Sequence, residues 1–210
     1  MTRRWRPLAA AGTLALSALL AGCASLSPQA VPGATGQTAV PYQESIAIDG
    51  RISVQYAQND QPQSLHGSFN WSQAPGHTGL DLLSPLGQTV ATIDVRPGVA
   101  TLVQSGRAPQ LAPDIDQLAA RALGWPLPVS GMRNWLQGRG TDSAGKPFQA
   151  VPGDENASFV TADGWHVAYP TWQAEADSAR LRPRRIDLTR NTEQAGPVSI
   201  RIVVDSWKRP

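Results

Sequence analysis

The stretch Ile46-Ala47-Ile48-Asp49-Gly50-Arg51-Ile52-Ser53-Val54-Gln55-Tyr56, residues 46–56, decides the fold. Apolar residues in it alternate with polar or small ones, so that Ile46, Ile48, Ile52 and Val54 fall on one side of an extended chain. Successive side chains of a β-strand point to opposite faces of the sheet, and a period of two is therefore typical of a strand with one buried face. We predict a long strand here, with its apolar face toward the core.

The same alternation recurs downstream at intervals of about a dozen residues, as expected for short antiparallel strands. Turn residues such as Arg96-Pro97-Gly98 separate these segments. The further predicted strands are Leu65–Trp71, Leu80–Leu83, Thr89–Val95, Val99–Gln104, Phe159–Thr161, Trp165–Tyr169, Arg185–Leu188 and Val198–Trp207. The pattern predicts a mainly β fold class with a few helices, in which antiparallel strands form a sheet or a barrel.

Two amphipathic helices interrupt the predicted strands. Pro113-Asp114 is typical of a helix start and Gly124 of a helix end, so the first helix lies between them. The second is predicted from about Ser130 to Gln137, whereas residues 139–158 have a weak pattern and are predicted to be a loop. A curved sheet has a concave apolar face, which such helices can either fill as core or cover so that a cavity remains.

The N-terminus has the features of a signal peptide. Arg3, Arg4 and Arg6 precede an apolar stretch from Leu8 to Gly22, which is too short to span a bilayer comfortably. The stretch ends in Leu20-Ala21-Gly22-Cys23, which resembles a lipobox. Small residues before the cut give a peptidase access to the backbone, and a thiol is a nucleophile that can accept a diacylglyceryl group. The alternative is an ordinary secretory signal followed by a chance cysteine.

Cys23 is the only cysteine of the chain, so no disulfide competes for its thiol. We therefore predict a cleaved signal peptide over residues 1–22, an acylated Cys23 with a Pro-rich flexible tether over 23–43, and one folded domain over 44–210. The residue after the cysteine is Ala24 rather than the aspartate that tends to retain lipoproteins on the inner membrane. The expected location is the outer membrane, on its periplasmic face.

The charge of the exported chain gives no support for nucleic-acid binding. The arginines at positions 3, 4 and 6 leave with the signal peptide, so 15 basic residues face 16 acidic ones, a net charge of −1. No basic field remains to attract a polyanion. The local cluster Arg180, Arg182, Arg184 and Arg185 is interpreted as a solvated entry to a strand.

Residue types that can carry catalysis or bind metals are present, but they do not form a recognisable motif. His66, His77 and His166 lack metal-ligand spacing, and there is no nucleophile elbow or phosphate-binding loop. The carboxylates that could pair as acid and base are Asp81, Asp94, Asp114 and Asp116, each of which is also explained as an outward strand residue or a helix-start acid. We expect no catalytic residue, no metal, no cofactor and no enzymatic activity.

One turn carries a residue that turn chemistry does not explain. Ser84-Pro85-Leu86-Gly87 joins two predicted strands, and proline and glycine account for its tight bend. Leu86 is unexpected because a turn tip faces water and gains nothing from an apolar side chain. Either Leu86 folds back onto the core, or it is a probe that enters lipid.

Several motifs, in this order, together resemble the LolB family of outer-membrane lipoproteins. They follow the acylated cysteine and extend from about residue 44 to residue 208. The motifs are Gly50-Arg51, the strand ending in Trp71, Leu82-Leu83-Ser84-Pro85-Leu86-Gly87, Leu123-Gly124-Trp125-Pro126-Leu127-Pro128, Asn134-Trp135-Leu136-Gln137-Gly138, Gly164-Trp165-His166-Val167-Ala168-Tyr169 and a last strand ending in Trp207. Each motif is modest, but their order and spacing are specific.

The resemblance implies an open, strongly curved antiparallel β-sheet, an incomplete barrel, with helices lidding an apolar cavity. It implies a receptor that accepts acylated lipoproteins from a LolA-like periplasmic carrier and inserts them into the inner leaflet of the outer membrane. The family's membrane-insertion loop corresponds to Pro85, Leu86 and Gly87. From the alternation, the residues expected to line the acyl-binding cavity are Ile52, Val54, Phe69, Leu82, Ile93, Leu118 and Trp135.

Two other classes of function stay open on the sequence alone. One is an envelope structural lipoprotein that docks to peptidoglycan or to an outer-membrane assembly machine through its strand faces. The other is a surface-anchored hydrolase whose site has no recognised motif. The Leu86 turn separates the transfer protein from both, because only insertion into lipid requires an exposed leucine there.

Overall fold

The computed structural model of the protein describes residues 39–154, 156–175, 180–193 and 195–208. The predicted signal peptide, Cys23 and most of the predicted tether lie outside these residues. The beginning of the folded domain is visible: Ala39 forms an isolated bridge with Leu181, and the amide of Val40 donates to the carbonyl of Leu181 at 3.2 Å.

Ten of the described strands form one sheet. Their order is β6-β5-β4-β3-β2-β1-β12-β11-β10-β9, and every neighbouring pair is antiparallel. The strands are β1 Ile46–Gln58, β2 Gln61–Ala74, β3 His77–Leu83, β4 Thr89–Arg96, β5 Val99–Gln104, β6 Gln110–Ala112, β9 Ser158–Val160, β10 His166–Ala174, β11 Leu181–Thr192 and β12 Gly196–Lys208. The two end strands do not pair with each other, so the sheet is open, and the predicted fold class is confirmed.

The inward face of the sheet follows the alternation. Ile46, Ile48, Ile52 and Val54 of β1 are buried and belong to one core cluster with the inward residues of the other long strands. Fully burying an aliphatic side chain of this size stabilises a fold by about 1.5–3 kcal/mol. The repeated burial on one face therefore sets the register of the sheet, since a slip by one residue would turn this face toward water.

Gly50 marks a bend in β1. The pairing of β1 with β12 shifts register between Asp49 and Gly50, which is a bulge, and bulges bend and twist a strand. A Cβ at position 50 would lie 2.4 Å from the carbonyl oxygen of Val203 and 2.6 Å from the ring of Phe69. Glycine is required because the neighbouring backbone and the Phe69 ring approach too closely for any side chain.

Two helices pack on the inward side of the sheet. Helix α1 spans Ile115–Leu123; the Asp114 side chain caps its first turn by accepting from the amide of Gln117 at 3.0 Å, and Gly124 ends it with a φ of 79°. Helix α2 spans Val129–Trp135. Both predicted helices are confirmed, with ends that differ from the predicted ones by one or two residues.

The predicted loop over residues 139–158 is wrong for part of its length. Strands β7 Arg139–Thr141 and β8 Pro147–Gln149 form a separate hairpin, closed by Asp142, whose carboxylate accepts from the amides of Ala144 and Lys146. Phe148 of this hairpin stacks on Phe159, with ring centroids 4.5 Å apart. A strand of three residues hardly shows a period of two, so the pattern missed β7, β8 and β6, although it predicted the three-residue β9 with bounds one residue off.

The prediction that the arginine cluster is solvated is wrong for Arg182. Its residue is 6% exposed, and its guanidinium pairs with Glu175, donates to Gln43 and lies 4.5 Å from the centroid of the Trp207 indole. Arg184 is exposed, in agreement with the prediction. Arg182 and Arg184 are two positions apart and would share one face of a regular strand, but the pairing of β10 with β11 shifts register at Arg184, which interrupts the alternation.

Candidate functional site: the lidded pocket and the Leu86 turn

An apolar pocket lies between the sheet and the helices. Eight apolar side chains line it: Ile52, Phe69, Leu80, Leu82, Leu127, Met132, Leu136 and Ile202. Its volume is about 10 Å³. A single water requires a space of about 10–15 Å³, and small-molecule pockets typically measure about 300–1,000 Å³. In this structure the protein's own side chains almost fill the apolar pocket, and a cavity large enough for acyl chains stays a prediction.

The structure brings three of the seven predicted cavity residues to this pocket. Ile52, Phe69 and Leu82 line it. The other four, Val54, Ile93, Leu118 and Trp135, are buried in the same core cluster but are not among the lining residues. All seven therefore belong to the apolar interior, and the first three are in contact with the remaining space.

Five lining residues were not predicted, and for most of them the sequence does hold a signal. Leu80 lies two positions before Leu82 and therefore on the same face of β3. Met132 and Leu136 are four residues apart, which is the spacing of neighbours on one helix face. Leu127 lies between two prolines, where no periodic pattern can exist.

Polar bonds fix α2 to the edge of the sheet. The Arg133 guanidinium donates to the carbonyl of Ala74 at 2.9 Å, to the carbonyl of His77 at 3.2 Å and to Oγ1 of Thr78 at 3.1 Å. These acceptors belong to the β2–β3 hairpin. One side chain of α2 thus satisfies three acceptors of the sheet, and we call this set of contacts the Arg133 latch.

Further bonds hold the end of α2. The Gln137 side chain accepts from the amide of Gln43 at 2.8 Å and donates to the Gln43 carbonyl at 3.0 Å. The Tyr169 hydroxyl donates to the carbonyl of Trp135 at 3.1 Å, and burial raises the pKa of that hydroxyl. The end of α2 and the residues directly after it are therefore bonded to both the sheet and the segment that precedes β1.

Helix α1 is joined to α2 through one carboxylate. Asp116 accepts from the amide of Ser130 at 3.0 Å and from the Ser130 hydroxyl. Burial raises the pKa of the Asp116 carboxyl, and the two hydrogen bonds from Ser130 offset part of this effect. To the sheet, α1 is bonded through Gln104, whose side-chain amide donates to the carbonyl of Ala122 at 3.1 Å.

The Leu86 turn connects β3 and β4. The amide of Gly87 donates to the Ser84 carbonyl at 2.9 Å, and the amide of Ser84 donates to the Gln88 carbonyl at 2.8 Å. Gly87 has a φ of 79°, so Pro85, Leu86 and Gly87 form a three-residue hairpin loop that ends in a left-handed residue. Leu86 is 87% exposed. The alternative that Leu86 folds back onto the core is therefore wrong.

Gly67 allows the base of this turn to lie against β2. A Cβ at position 67 would be 2.2 Å from the carbonyl oxygen of Leu83, the last residue of β3. Strand β2 pairs with β3 only from Ser68 onward, and its first residues extend past the end of β3. The Leu86 turn therefore lies beside β2 and not at the outermost end of the sheet. At the other end of β2, the side-chain amide of Gln73 donates to the carbonyl of Gln43, a residue of the segment that precedes β1.

The candidate acid–base and metal residues have structural partners. Asp81 accepts from the Thr92 hydroxyl at 2.7 Å. Asp94 lies 2.5 Å from His77 and 2.9 Å from Arg96, and the hydrogen bonds from these two side chains lower the pKa of Asp94. Within the described ranges, no three His, Cys, Asp or Glu side chains are grouped so as to hold a metal ion. In the same part of the chain, no helix is long and apolar enough to cross a membrane.

A comparison with solved structures finds two that match this chain over about four fifths of its length. A LolA superfamily protein from Nitrosomonas europaea is 11% identical, with a TM-score of 0.46 and coverage of 82% of this chain and 88% of that one. A DUF1329 family protein from Desulfovibrio piger is 7% identical, with a TM-score of 0.48 and coverage of 80% and 87%.

Sequence comparison is more specific. The family model "Outer membrane lipoprotein LolB" matches residues 44–207. Two proteins named outer-membrane lipoprotein LolB, from Cupriavidus necator and Cupriavidus pinatubonensis, are 40% and 38% identical over 189 and 196 residues, which is 89% and 91% of this chain and 90% and 91% of theirs. The LolB of Ralstonia nicotianae is 39% identical over 198 residues, 90% of this chain and 91% of that protein. The chain belongs to the LolB family of outer-membrane lipoproteins.

Proposed function

We propose that this lipoprotein accepts acylated lipoproteins from a LolA-like periplasmic carrier into its apolar interior and inserts them into the inner leaflet of the outer membrane. The observation that carries the proposal is the exposed Leu86 at the tip of a hydrogen-bonded turn. Its partners are the carrier, the acylated passenger and outer-membrane lipid. Cys23, acylated after removal of residues 1–22, anchors the domain through the tether that follows it.

The energetics of acyl chains explain why such a protein is needed. Each buried CH₂ group contributes about 0.8 kcal/mol, so a triacylated passenger cannot cross water unshielded. A receiver takes the passenger from a carrier if it binds the chains slightly better, because a difference of about 1.4 kcal/mol already shifts the exchange tenfold. The step is a transfer between binding sites and requires no catalysis and no cofactor.

Acceptance of acyl chains requires the lid to move. The pocket of about 10 Å³ must grow by more than an order of magnitude before a chain fits. Eight apolar side chains already surround this space, so an acyl chain would replace contacts between the helices and the sheet by contacts of the same chemistry. Met132 of α2 lines this space and no residue of α1 does, so we expect the movement of α2 to open it.

The test replaces Leu86 by glutamate in the full chain and measures two steps. Leu86→Glu places a charge where the side chain should enter hydrocarbon, and we expect delivery of a passenger to lipid vesicles to fall at least about tenfold, the effect of 1.4 kcal/mol or more. Capture of the passenger from its carrier should be unchanged, since Leu86 lies outside the interior. Val151→Glu is the control, because Val151 is an exposed apolar residue of a different loop.

Normal delivery by Leu86→Glu would rule out the insertion role. A well-folded wild-type protein that takes no passenger from the carrier would rule out the whole transfer function and favour a structural lipoprotein.

A further inference from the structure

A groove of about 470 Å³ lies beside the Leu86 turn on the outer face of the sheet. Its polar walls come from Arg51 and Ser53 of β1, His66 and Ser68 of β2, and Arg201 of β12, and Pro85 of the turn closes one side. These strand residues alternate with the buried ones, and the groove is therefore separated from the apolar pocket by the sheet itself.

The polar groups on the walls of the groove are cations and hydroxyl groups, and Ile52, Gly67 and Val203 contribute an apolar floor between them. Among its described lining residues there are two guanidinium groups and one imidazole, and no carboxylate. Arg51 binds Asp205 through Nε at 2.9 Å and Nη2 at 2.8 Å, and the Nε of Arg201 lies 3.5 Å from Asp187. A guanidinium has five N–H donors, so these carboxylates hold both arginines in place and leave donors available on each.

We propose that this groove binds the phosphate group of an anionic phospholipid headgroup while Leu86 is in the bilayer. The fork of N–H donors on arginine suits phosphate oxygens, and serine hydroxyls supply further donors. The inference rests on the proposed function for one point only, the orientation of the turn toward the membrane. With Leu86 in the hydrocarbon, Pro85 and the adjoining groove come to the level of the headgroups.

The geometry favours a lipid headgroup over an acyl chain as the occupant. Both arginine side chains are largely exposed, 63% for Arg51 and 58% for Arg201, and a charged, open groove would not shield hydrocarbon from water. Asp205 and Asp187 offset part of the charge, but Arg185 also pairs with Asp187, so three arginines face two carboxylates and a net attraction to anionic lipid remains. Phosphatidylglycerol should therefore bind better than zwitterionic phosphatidylcholine.

The test is native mass spectrometry of the full acylated protein, released from neutral detergent that contains equal amounts of phosphatidylglycerol and phosphatidylcholine. We expect the wild type to retain phosphatidylglycerol in about tenfold excess, which corresponds to about 1.4 kcal/mol. The double variant Arg51→Gln/Arg201→Gln should retain the two lipids equally, and each single variant should be intermediate. The matched control is Arg96→Gln, since Arg96 is 65% exposed and paired with Asp94, but lies outside the groove.

Equal retention of the two lipids by the wild type, or an unchanged excess in a folded double variant, would overturn the proposal. Competition by glycerol 3-phosphate and by inorganic phosphate separates the sources of the anion. If free phosphate binds in an arginine-dependent way and phosphatidylglycerol does not, the lipid assignment is wrong. Leu86→Glu should keep the lipid preference in detergent even where delivery fails, so the failure of the proposed function and the failure of this inference give different results.

Discussion

The pocket under the helices and the Leu86 turn use apolar side chains in opposite ways. The eight residues of the pocket are all buried, and the space between them is about 10 Å³. Leu86 is 87% exposed and has no part in the core. The turn thus presents its apolar residue to solvent in the structure as it stands, whereas the pocket presents nothing until the helices move.

This difference indicates that the closed pocket, and not the turn, determines how tightly a passenger is held. The turn is held by backbone bonds within five residues, from Ser84 to Gln88, and its leucine is exposed without any rearrangement. The pocket is closed by packing and by the Arg133 latch, so acyl chains have to compete with the protein's own side chains. Weak holding of a passenger is a useful property for a protein that must release it.

The largest expected effect comes from enlarging the pocket. Leu136 is buried and lines the pocket, and Leu136→Ala should lower the free energy of unfolding by about 2–5 kcal/mol, because the removed side chain leaves a cavity. The same cavity should raise the affinity for a fluorescent fatty-acyl probe. Urea unfolding and probe titration measure the two effects.

Leu111→Ala is the control, since Leu111 is exposed and its truncation should change stability by less than about 0.5 kcal/mol. If Leu136→Ala is destabilised as expected but gains no affinity for the probe, the pocket is ordinary core and the acyl site lies elsewhere.

The second effect comes from the Arg133 latch. Arg133→Gln removes a donor group from three acceptors of the β2–β3 hairpin, and should lower the free energy of unfolding by about 1–3 kcal/mol. Hydrogen exchange of the α2 amides should become faster, and capture of acylated passengers should also become faster. Arg121→Gln, at an exposed position of α1, should change neither rate.

Unchanged exchange of α2 together with faster capture would mean that the lid opens by another route, with α2 remaining on the sheet.

The sequence predicts the sheet and the turn because both depend on local patterns. The alternation from Ile46 to Val54 determines the inward face of β1, and Pro85 with Gly87 determines the bend at whose tip Leu86 stands. Both features can be interpreted within a dozen residues. The sequence left two positions open for Leu86, folded back onto the core or exposed, and the structure was needed only to choose between them.

The volume of the pocket could not be predicted in this way. It depends on how Ile52, Met132, Leu136 and Ile202 fill one space, and these residues come from β1, β12 and the α2 region, up to 150 positions apart in the chain. Periodicity assigns a residue to a face but does not give the distance between two faces. The inward position of Arg182 was missed for a different reason, because the register shift at Arg184 interrupts the alternation of β11.

The third effect tests whether the turn has to be rigid. Gly87 has a φ of 79° and nothing within 4 Å of an added Cβ, so Gly87→Ala adds backbone strain alone, about 1–2 kcal/mol. Passenger delivery should fall by less than in Leu86→Glu, because the leucine is still present but less well positioned. Vesicle delivery and urea unfolding are the measurements.

Gly98→Ala is a matched control in the β4–β5 turn, where φ is 78° and no atom lies within 4 Å of the added Cβ. It should have the same stability loss and normal delivery. Equal loss of delivery in the two variants would show that stability, and not the shape of the Leu86 turn, limits the reaction.

The smallest effect concerns the joint between α1 and α2, where Asp116 accepts hydrogen bonds from Ser130. Burial, aided by the charges of Asp114 and Asp163, raises the pKa of the Asp116 carboxyl above 3.8, so the folded protein holds this proton more tightly than the unfolded chain does. The resulting stabilisation is fully present below pH 3.8 and is lost as the pH rises through the raised pKa. The amide of Asp116→Asn stays neutral, so the variant loses no stability from this position over that pH range.

The difference in unfolding free energy between Asp116→Asn and the wild type should therefore shift in favour of the variant as the pH rises from below 3.8 to neutral. Asp49 and Asp94 have lowered pKa values and act in the opposite direction, but they are the same in both proteins and cancel from the difference. Urea unfolding at a series of pH values gives this difference directly. A difference that is constant with pH would mean that the Asp116 carboxylate is well solvated, and that α1 already stands away from α2 in solution.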